Sequence, residues 1–258
     1  MYGDGCFETL KSYSGSFLYF GAHYQRLKDA FEYLNIRLEL SKDDLHNAIK
    51  ALINANKLEN DLAIIRFQCW RKGGRGYKTN SRDYEWFITS NPIKNQSFSA
   101  LKLQSSNTPV IPSKALNRNV KLSNGLNYIV AANEADSKGY DDALMFTMDG
   151  FISETTISNI FWGKGNTIYT PSVECDLLPG ITRKLLFESI EKSEFDIFED
   201  KFKIGDILNA EYVFTTNSIS EIRVVQQIDK THFDSTHPEL LRIKSLFEAL
   251  KNELLSNG

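Results

Sequence analysis

The sequence has little cysteine, little histidine and no long apolar run. Its three cysteines, Cys6, Cys69 and Cys175, stand far apart in 258 residues, so their spacing matches neither a disulfide framework nor a metal site. The four histidines form no metal-binding motif such as HExxH. We therefore expect no bound metal ion and a reducing compartment, the cytoplasm.

Charge and hydropathy exclude two further classes of protein. Lysines and arginines are scattered and the formal net charge is −3, so no nucleic-acid surface is predicted. No segment has the uncharged length of a membrane helix, and MYGDGCFETL at the start lacks the regions of a signal peptide. The composition, 41% hydrophobic and 24% charged, is typical of a globular protein with one large or two modest domains.

Local patterns predict strands and helices in both halves of the chain. Residues 6–20 predict two short strands around a turn at Ser14 and Gly15, and residues 21–35 have helical spacing. Ser41, with Asp44 three residues later, predicts the N-cap of a second helix. LAIIRFQCW, YEWFITS and ALKLQSS predict further strands, and a glycine-rich basic loop, RKGGRGYKTNS, follows the first of these.

The segment at residues 107–119 holds two of the six prolines and little apolar pattern. We interpret it as a linker between an N-terminal domain, residues 1–106, and a larger C-terminal domain, residues 120–258. Strands and helices alternate only loosely, and many strands are joined by short turns. The pattern therefore predicts a mixed α/β, α+β fold with two domains rather than a doubly wound parallel sheet.

Residues 119–135, NVKLSNGLNYIVAANEA, contain a mostly apolar stripe at helical spacing, which predicts a helix with this face directed inward. The stripe consists of Leu122, Leu126, Ile129, Val130 and Asn133. Lys121 stands one residue before it. Such a lysine is either a solvated surface residue or an amine held against a pocket, where burial lowers its pKa and makes it nucleophilic.

Three other segments carry candidate functional groups. Glu154 lies between two strand-like runs in GFISETTISN, and LLPGITRKLLFES places the flexible Gly180 before the first turn of a helix. A helix start of this kind can bind phosphate through backbone N–H groups, as can the polar loop TTNSISE. Arg26 could add a charge-assisted contact. The alternatives are a solvated turn carboxylate, a simple helix cap, an ordinary polar turn and a surface arginine.

Pyridoxal phosphate needs all of these groups at once: an amine for its aldehyde, a carboxylate beside its ring nitrogen and a cup for its phosphate. With these residues the chain resembles the fold-type IV, or class IV, pyridoxal-phosphate enzymes. Eight segments carry the resemblance in order: YGDGCFETL, HYQRL, GGRGY, VKLSNGLNYIVAANEA, ISETTISNIFW, TIYTPS, LLPGITR and FTTNSISEI.

The resemblance implies a two-domain fold with the cofactor between the domains and a role for each matching residue. Lys121 would bond the cofactor aldehyde and act as the catalytic base, and Glu154 would pair with the pyridine nitrogen. The residues implied at the phosphate are Arg26, Ile157, Ile181, Thr182, Asn217 and Ser218. Phe7 would line the substrate side.

GDGCFET and GGRGY look most like the 4-amino-4-deoxychorismate lyases, in which the arginine-containing loop lies near the substrate carboxylates. The resemblance therefore implies Arg75 and Tyr77 as substrate-binding residues, although KGGRGY can equally be a basic hairpin tip. It implies conversion of 4-amino-4-deoxychorismate to 4-aminobenzoate and pyruvate for folate biosynthesis.

Two alternative functions stay open at the level of the sequence. The first is a class IV aminotransferase that acts on branched-chain or D-amino acids with 2-oxoglutarate. The second is a non-catalytic binding protein on the same fold. Relatives of this kind are commonly homodimers, so we expect a homodimer that binds a small-molecule amine.

Overall fold

The structure is a computed structural model and describes residues 2–73, 77–94, 98–191 and 193–256. The chain divides into two compact units that are discontinuous in sequence. The first contains Met1–Gln96, Asn119–Gly125 and Leu254–Gly258, and the second contains Ser97–Arg118 and Leu126–Glu253.

The first unit is an antiparallel sheet with two helices. Its strands are β1 (Gly5–Tyr13), β2 (Ser16–Phe17), β3 (Leu62–Arg71) and β4 (Tyr84–Pro92), in the order β2-β1-β3-β4. Its helices are α1 (Phe20–Tyr33), which contacts β1, and α2 (Lys42–Ala55), which contacts β4. Side chains alternate across a strand, so Cys6, Leu10, Ile65 and Phe67 are buried, whereas Phe7 and Arg66 lie on the opposite, more accessible face.

Local sequence rules account for the ends of these elements. Ser14 and Gly15 have positive φ, 51° and 85°, which is the backbone of a tight hairpin turn between β1 and β2. The Ser41 side chain accepts a hydrogen bond from the Asp44 backbone, and the Asp44 carboxylate accepts one from the Ser41 backbone. The predicted hairpin and the predicted N-cap are confirmed.

The second unit is built on a nine-stranded mixed sheet. Its strands are β5 (Leu101–Ser105), β6 (Asp142–Phe146), β7 (Ile152–Thr155), β8 (Asn159–Lys164), β9 (Thr167–Pro171), β10 (Asp196–Asp200), β11 (Tyr212–Asn217), β12 (Glu221–Ile228) and β13 (Thr231–His232). Its helices are α3 (Leu126–Ser137), α4 (Ile181–Ile190), α5 (Ile204–Leu208) and α6 (Pro238–Ser256), with a short 3₁₀ helix at Val173–Cys175.

The large sheet closes on itself. The strand order is β10-β9-β8-β11-β12-β5-β6-β7, and β7 also pairs with β8. Strands β8, β11, β12, β5, β6 and β7 therefore form a closed ring around a core that includes Leu103, Leu144, Ile160 and Val225. The parallel pairs are β5–β6, β5–β12 and β9–β10, and the others are antiparallel. The mixed α/β fold predicted from the sequence is confirmed.

The helix predicted after Lys121 differs from the expectation in two respects. It begins at Leu126, five residues beyond the lysine, so Leu122 is not part of it. Its predicted inward stripe is also wrong, because Leu126, Ile129 and Val130 are 73%, 57% and 47% exposed. The face that packs on β6 instead consists of small side chains, Ala131 and Ala135, which allow close approach of the helix to the sheet.

The compact units and the predicted domains divide the chain at different residues. β5 falls in the predicted N-terminal domain but pairs with β6 and β12 of the second unit. Residues 107–118 of the predicted linker belong to the second unit by their contacts. The functional domain boundaries at residues 106 and 119 stay a prediction. In the described part of the chain, no helix is long and apolar enough to cross a membrane.

Candidate active site

Lys121 lies on an extended segment beside β1, in the first unit. The Phe7 backbone N–H donates to the Lys121 carbonyl at 3.1 Å, and the Ser123 N–H donates to the Gly5 carbonyl at 2.9 Å. Cys6 and Leu122 form an antiparallel bridge between these two contacts. The lysine is therefore fixed through its backbone to the edge of a sheet rather than held at the mouth of a helix.

The Lys121 amine lies over an aromatic ring that a second cation also contacts. Its Nζ is 4.7 Å from the centroid of the Phe7 ring, and the Arg66 guanidinium carbon is 4.2 Å from the same centroid. Partial burial lowers the pKa of Arg66 from its ordinary value. Lys121 is half-buried, and its role as the amine that binds a cofactor stays a prediction. Phe7 and Lys121, both singled out from the sequence, are brought together.

Arg66 is a candidate that the analysis of the sequence missed. It is the charged residue in the apolar strand LAIIRFQCW, at a position where the alternation of side chains directs it to the accessible face. Gln68, on the same face, accepts from the Arg66 guanidinium at 3.2 Å and donates to the Ser123 hydroxyl at 2.9 Å. The signal that would have identified Arg66 in the sequence is a charged residue on the open face of a strand that leads into a glycine-rich loop.

Glu154 is a buried carboxylate with three fixed donors, in the second unit. Its Oε1 accepts from the Tyr128 hydroxyl at 2.7 Å and from the Arg118 guanidinium at 3.1 Å. Its Oε2 accepts from the Leu178 backbone N–H at 3.1 Å. The residue is only 4% exposed, so the alternative of a solvated turn carboxylate is wrong.

Arg118 and Tyr128 form the rest of this buried cluster. They contact each other, and Arg118 also donates to the Asp176 carbonyl at 3.2 Å. Burial, together with the neighbouring Glu154 charge, raises the pKa of Tyr128, so its hydroxyl stays a hydrogen-bond donor at neutral pH. Both residues lie far from Glu154 in the sequence, and no local motif marks them.

The three segments predicted to hold a phosphate meet in the second unit. The Asn217 side-chain amide donates to the Ser158 hydroxyl at 2.9 Å, which joins the turn after β11 to the turn after β7. The Asn159 amide donates to the Leu178 carbonyl at 2.8 Å, just before the start of α4. These contacts bring Ile157, Ile181, Thr182, Asn217 and Ser218 into one region of the unit.

Gly180 has a role different from the one its sequence position indicated. Its φ of −68° is accessible to any residue, so conformational freedom does not explain the glycine. A Cβ at this position would lie 2.2 Å from the Asn159 Oδ1 atom. A side chain at residue 180 would therefore require the Asn159 side chain or the start of α4 to shift. The predicted helix start is confirmed, with Ile181 and Thr182 in the first turn of α4.

Arg26 is buried, at 9% exposed, and not a surface arginine. Its guanidinium donates to both carboxylate oxygens of Glu8, at 2.6 and 2.8 Å, and the His23 Nδ1 lies 2.8 Å from the same carboxylate. Burial alone would raise the pKa of Glu8, but the Arg26 charge and the hydrogen bonds from Arg26 and His23 together lower this pKa to about 2. A contact of Arg26 with a phosphate stays a prediction.

The predicted substrate loop is described only in part. Arg75 lies outside the described residues. Tyr77 is exposed, and its ring lies 5.1 Å from the ring of Tyr2. Among the described residues, no group of three or more histidine, cysteine, aspartate or glutamate side chains could hold a metal ion.

The donor set satisfies the chemical requirements of pyridoxal phosphate. The Lys121 amine matches the aldehyde, and the buried Glu154 carboxylate matches the ring nitrogen. The helix start at Gly180, with two polar turns beside it, matches the phosphate. Lys121 and Phe7 belong to the first unit, and Glu154 with the three candidate phosphate segments belongs to the second.

Comparison with known sequences gives matches along nearly the whole chain. The family model described as amino-transferase class IV matches residues 5–228. The chain is 26% identical to an aminodeoxychorismate lyase of Bacillus subtilis, covering 100% of this chain and 89% of that protein. It is 28% identical to a "putative branched-chain-amino-acid aminotransferase" of Methanocaldococcus jannaschii, covering 89% and 80%. It is 27% identical to a D-alanine aminotransferase of Bacillus licheniformis, covering 99% and 89%.

Comparison with solved structures gives close matches of the fold. A "putative 4-amino-4-deoxychorismate lyase" of Legionella pneumophila superposes with a TM-score of 0.88 at 27% identity, covering 96% of this chain and 91% of that chain. A branched-chain amino acid aminotransferase of Thermobaculum terrenum, solved in its PLP-form, superposes with a TM-score of 0.88 at 21% identity, covering 100% and 87%.

Proposed function

Because the chain belongs to the class IV aminotransferase family, we propose that it is a pyridoxal-phosphate-dependent lyase that converts 4-amino-4-deoxychorismate to 4-aminobenzoate and pyruvate. The lyase of Bacillus subtilis, which matches the full length of the chain, supports this choice. The observation that carries it is the pair of cations on Phe7. The Lys121 amine is the group that a cofactor aldehyde needs, and Arg66, which contacts the same ring, suits a substrate that carries carboxylates.

The cofactor is pyridoxal phosphate, and the described residues match its parts. Lys121 would bond the aldehyde and Glu154 would face the ring nitrogen. The phosphate would be held by Arg26, Ile157, Ile181, Thr182, Asn217 and Ser218. The bound cofactor supplies an electron sink for the substrate carbon next to the amine.

The residues of the chain then have separate tasks in the reaction. With the cofactor bound, the Lys121 amine would act as the base that removes the proton from the substrate ring carbon that bears the nitrogen. The C–O bond to the enolpyruvyl group breaks, and that group takes up a proton and leaves as pyruvate. Tyr128 and Arg118 keep the Glu154 carboxylate fixed while the substrate ring becomes aromatic.

Transamination is the competing function. The relatives named as branched-chain and D-alanine aminotransferases match the chain at similar identity, 28% and 27%. In that reaction the same Lys121 would take the proton from the substrate carbon next to the amine, and a keto acid such as 2-oxoglutarate would complete the cycle. Arg66 would then contact the carboxylate of an amino acid.

The deciding experiment incubates the cofactor-loaded protein with 4-amino-4-deoxychorismate and no keto acid. We expect 4-aminobenzoate and pyruvate in equal amounts over many turnovers, and no product from Lys121→Ala. Loaded protein that gives neither product, but forms glutamate from branched-chain or D-amino acids and 2-oxoglutarate, would establish the aminotransferase. Protein that binds no pyridoxal phosphate would instead favour a non-catalytic binding protein.

We also propose that the protein is a cytoplasmic homodimer. The exposed stripe of α3, Leu126, Ile129 and Val130, is an apolar face of the kind that marks interfaces between proteins. Light scattering should give twice the 29.4 kDa mass of the chain, and Ile129→Glu should shift the mass toward the monomer. A wild-type mass of 29.4 kDa at micromolar concentration would contradict the dimer.

A further inference from the structure

Glu221 has a backbone conformation that normally belongs to glycine. It closes the hairpin between β11 and β12, where it is the register partner of Asn217. Its φ is +57°, in the left-handed region that side chains with a Cβ disfavour. Short hairpin loops that need such a residue usually contain glycine. A glutamate here therefore carries a conformational cost that its side chain has to offset.

The Glu221 side chain forms a buried ion pair with the C-terminal helix. The Lys251 ammonium, on α6, lies 2.6 Å from the Glu221 Oε2 atom. Glu221 is 9% and Lys251 8% exposed, and Lys251 also contacts the Glu248 carboxylate at 2.6 Å. Removing two charges from water offsets much of their mutual attraction, so a buried pair of this kind adds little net stability compared with apolar side chains. The pair anchors one end of the hairpin loop to α6.

The loop anchored in this way is the one that carries Asn217 and Ser218. The Asn217 Oδ1 atom accepts from the backbone N–H groups of Ile219 and Ser220, at 2.9 and 2.8 Å, which closes the turn. The Asn217 amide reaches the Ser158 hydroxyl of the neighbouring turn. The loop is thus held on one side by the turn after β7 and on the other by α6.

We propose that Glu221 and Lys251 are positioning residues for the cofactor phosphate. Neither residue is assigned a contact with the phosphate. The ion pair fixes the Asn217–Ser218 loop so that its donors are in place before the cofactor binds, which lowers the entropic cost of binding. The inference rests on the proposed assignment of Asn217 and Ser218 to the phosphate.

The test compares pyridoxal phosphate with pyridoxal, which has the same aldehyde and ring nitrogen but lacks the phosphate. Dissociation constants of both are measured on the apo-protein by absorbance titration. Glu221→Gly suits the left-handed backbone and removes the ion pair with Lys251. We expect it to weaken binding of pyridoxal phosphate about tenfold, as for one lost charge-assisted contact, with pyridoxal binding within about twofold of the wild type.

Lys251→Met should have the same selective effect, and Lys251→Arg should restore much of the affinity because it keeps the charge. Lys138→Met is the matched control, since it breaks an ion pair with Glu134 on the exposed side of α3. If Lys251→Met does not fold, Glu221→Gly and Lys251→Arg still decide the question.

Wild-type affinity for pyridoxal phosphate in Glu221→Gly would overturn the proposal. So would an equal loss for both ligands, because that would show a general structural role. Ser218→Ala tests the phosphate assignment of this loop separately. If its preference for pyridoxal phosphate over pyridoxal is unchanged, the assignment falls, and the inference falls with it. The experiment measures cofactor binding without substrate. Its outcome therefore stays valid even if the protein proves to be an aminotransferase and not a lyase.

Discussion

Tyr128 donates its hydroxyl hydrogen to Glu154 across 26 residues of sequence, at 2.7 Å, inside a buried cluster that Arg118 completes. Tyr128→Phe removes that donor and keeps the ring. We expect binding of pyridoxal phosphate to weaken about tenfold, or about 1.4 kcal/mol, because the carboxylate that faces the ring nitrogen becomes less fixed. A titration of the apo-protein with pyridoxal phosphate measures the change in the dissociation constant.

Tyr140→Phe is the control for this substitution. It also removes a hydroxyl donor in the second unit, to the Asp229 carbonyl at 3.1 Å, but does not touch Glu154. Equal losses of cofactor affinity in the two variants would contradict a specific role for Tyr128.

Gly180→Ala should destabilise the protein and weaken cofactor binding. The added Cβ would lie 2.2 Å from the Asn159 Oδ1 atom, so either the start of α4 or the Asn159 side chain has to move. Overpacking of this kind costs about 1–3 kcal/mol of the free energy of unfolding, which urea denaturation measures. Gly205→Ala in α5 meets no atom within 4 Å and should be neutral or slightly stabilising. Similar midpoints for the two variants would refute the explanation given for Gly180.

Arg66→Gln should reduce kcat/KM for a substrate with a carboxylate about 10- to 100-fold, because a charge-assisted contact is lost. Cofactor affinity should be unchanged, since the described contacts of Arg66 are with Phe7 and Gln68. Arg37→Gln, which removes an exposed arginine elsewhere in the first unit, serves as the control in steady-state kinetics. A kcat/KM for Arg66→Gln equal to that of the wild type would remove Arg66 from the substrate site.

Acid stability should depend on Glu8. Its pKa is lowered from its ordinary value of 4.5 to about 2, so the ionised carboxylate stabilises the folded state. That contribution is present above about pH 4.5 and is lost as the pH falls toward 2, and it is on the order of 3 kcal/mol. Unfolding free energies measured across this range should fall less steeply for Glu8→Gln than for the wild type. Glu39→Gln, in an exposed pair with Arg37, should keep the wild-type slope, and an unchanged slope in Glu8→Gln would contradict the assignment.

Local features of the fold could be predicted from the sequence because their causes lie within a few residues. The hairpin at Ser14 and Gly15, the Ser41 cap and the helix start at Ile181 depend on nearby backbone and side-chain groups. The assignment of Lys121 and Glu154 as functional candidates came from the order of segments along the chain. The structure adds burial and fixed donors to Glu154 and an aromatic contact to Lys121.

The other features of the fold and the candidate site depend on contacts between distant residues, which sequence spacing does not encode. The spacing of Leu126, Ile129 and Val130 indicates an apolar face, but not whether the same unit covers it. Arg118 and Tyr128 reach Glu154 only because the sheet and α3 fold together. The close contact at Gly180 comes from Asn159, whose position the local sequence around α4 does not reveal.

Lys121 belongs to the first unit, but in the sequence its segment follows a stretch that belongs to the second unit. During synthesis on the ribosome, β1, β3 and β4 are complete before residue 121 exists. A nascent or truncated chain that ends near residue 96 therefore contains the strands of the small sheet but not its amine. The order of translation thus places synthesis of these strands before that of the reactive group, so that a nascent chain shorter than 121 residues cannot capture the cofactor aldehyde through Lys121.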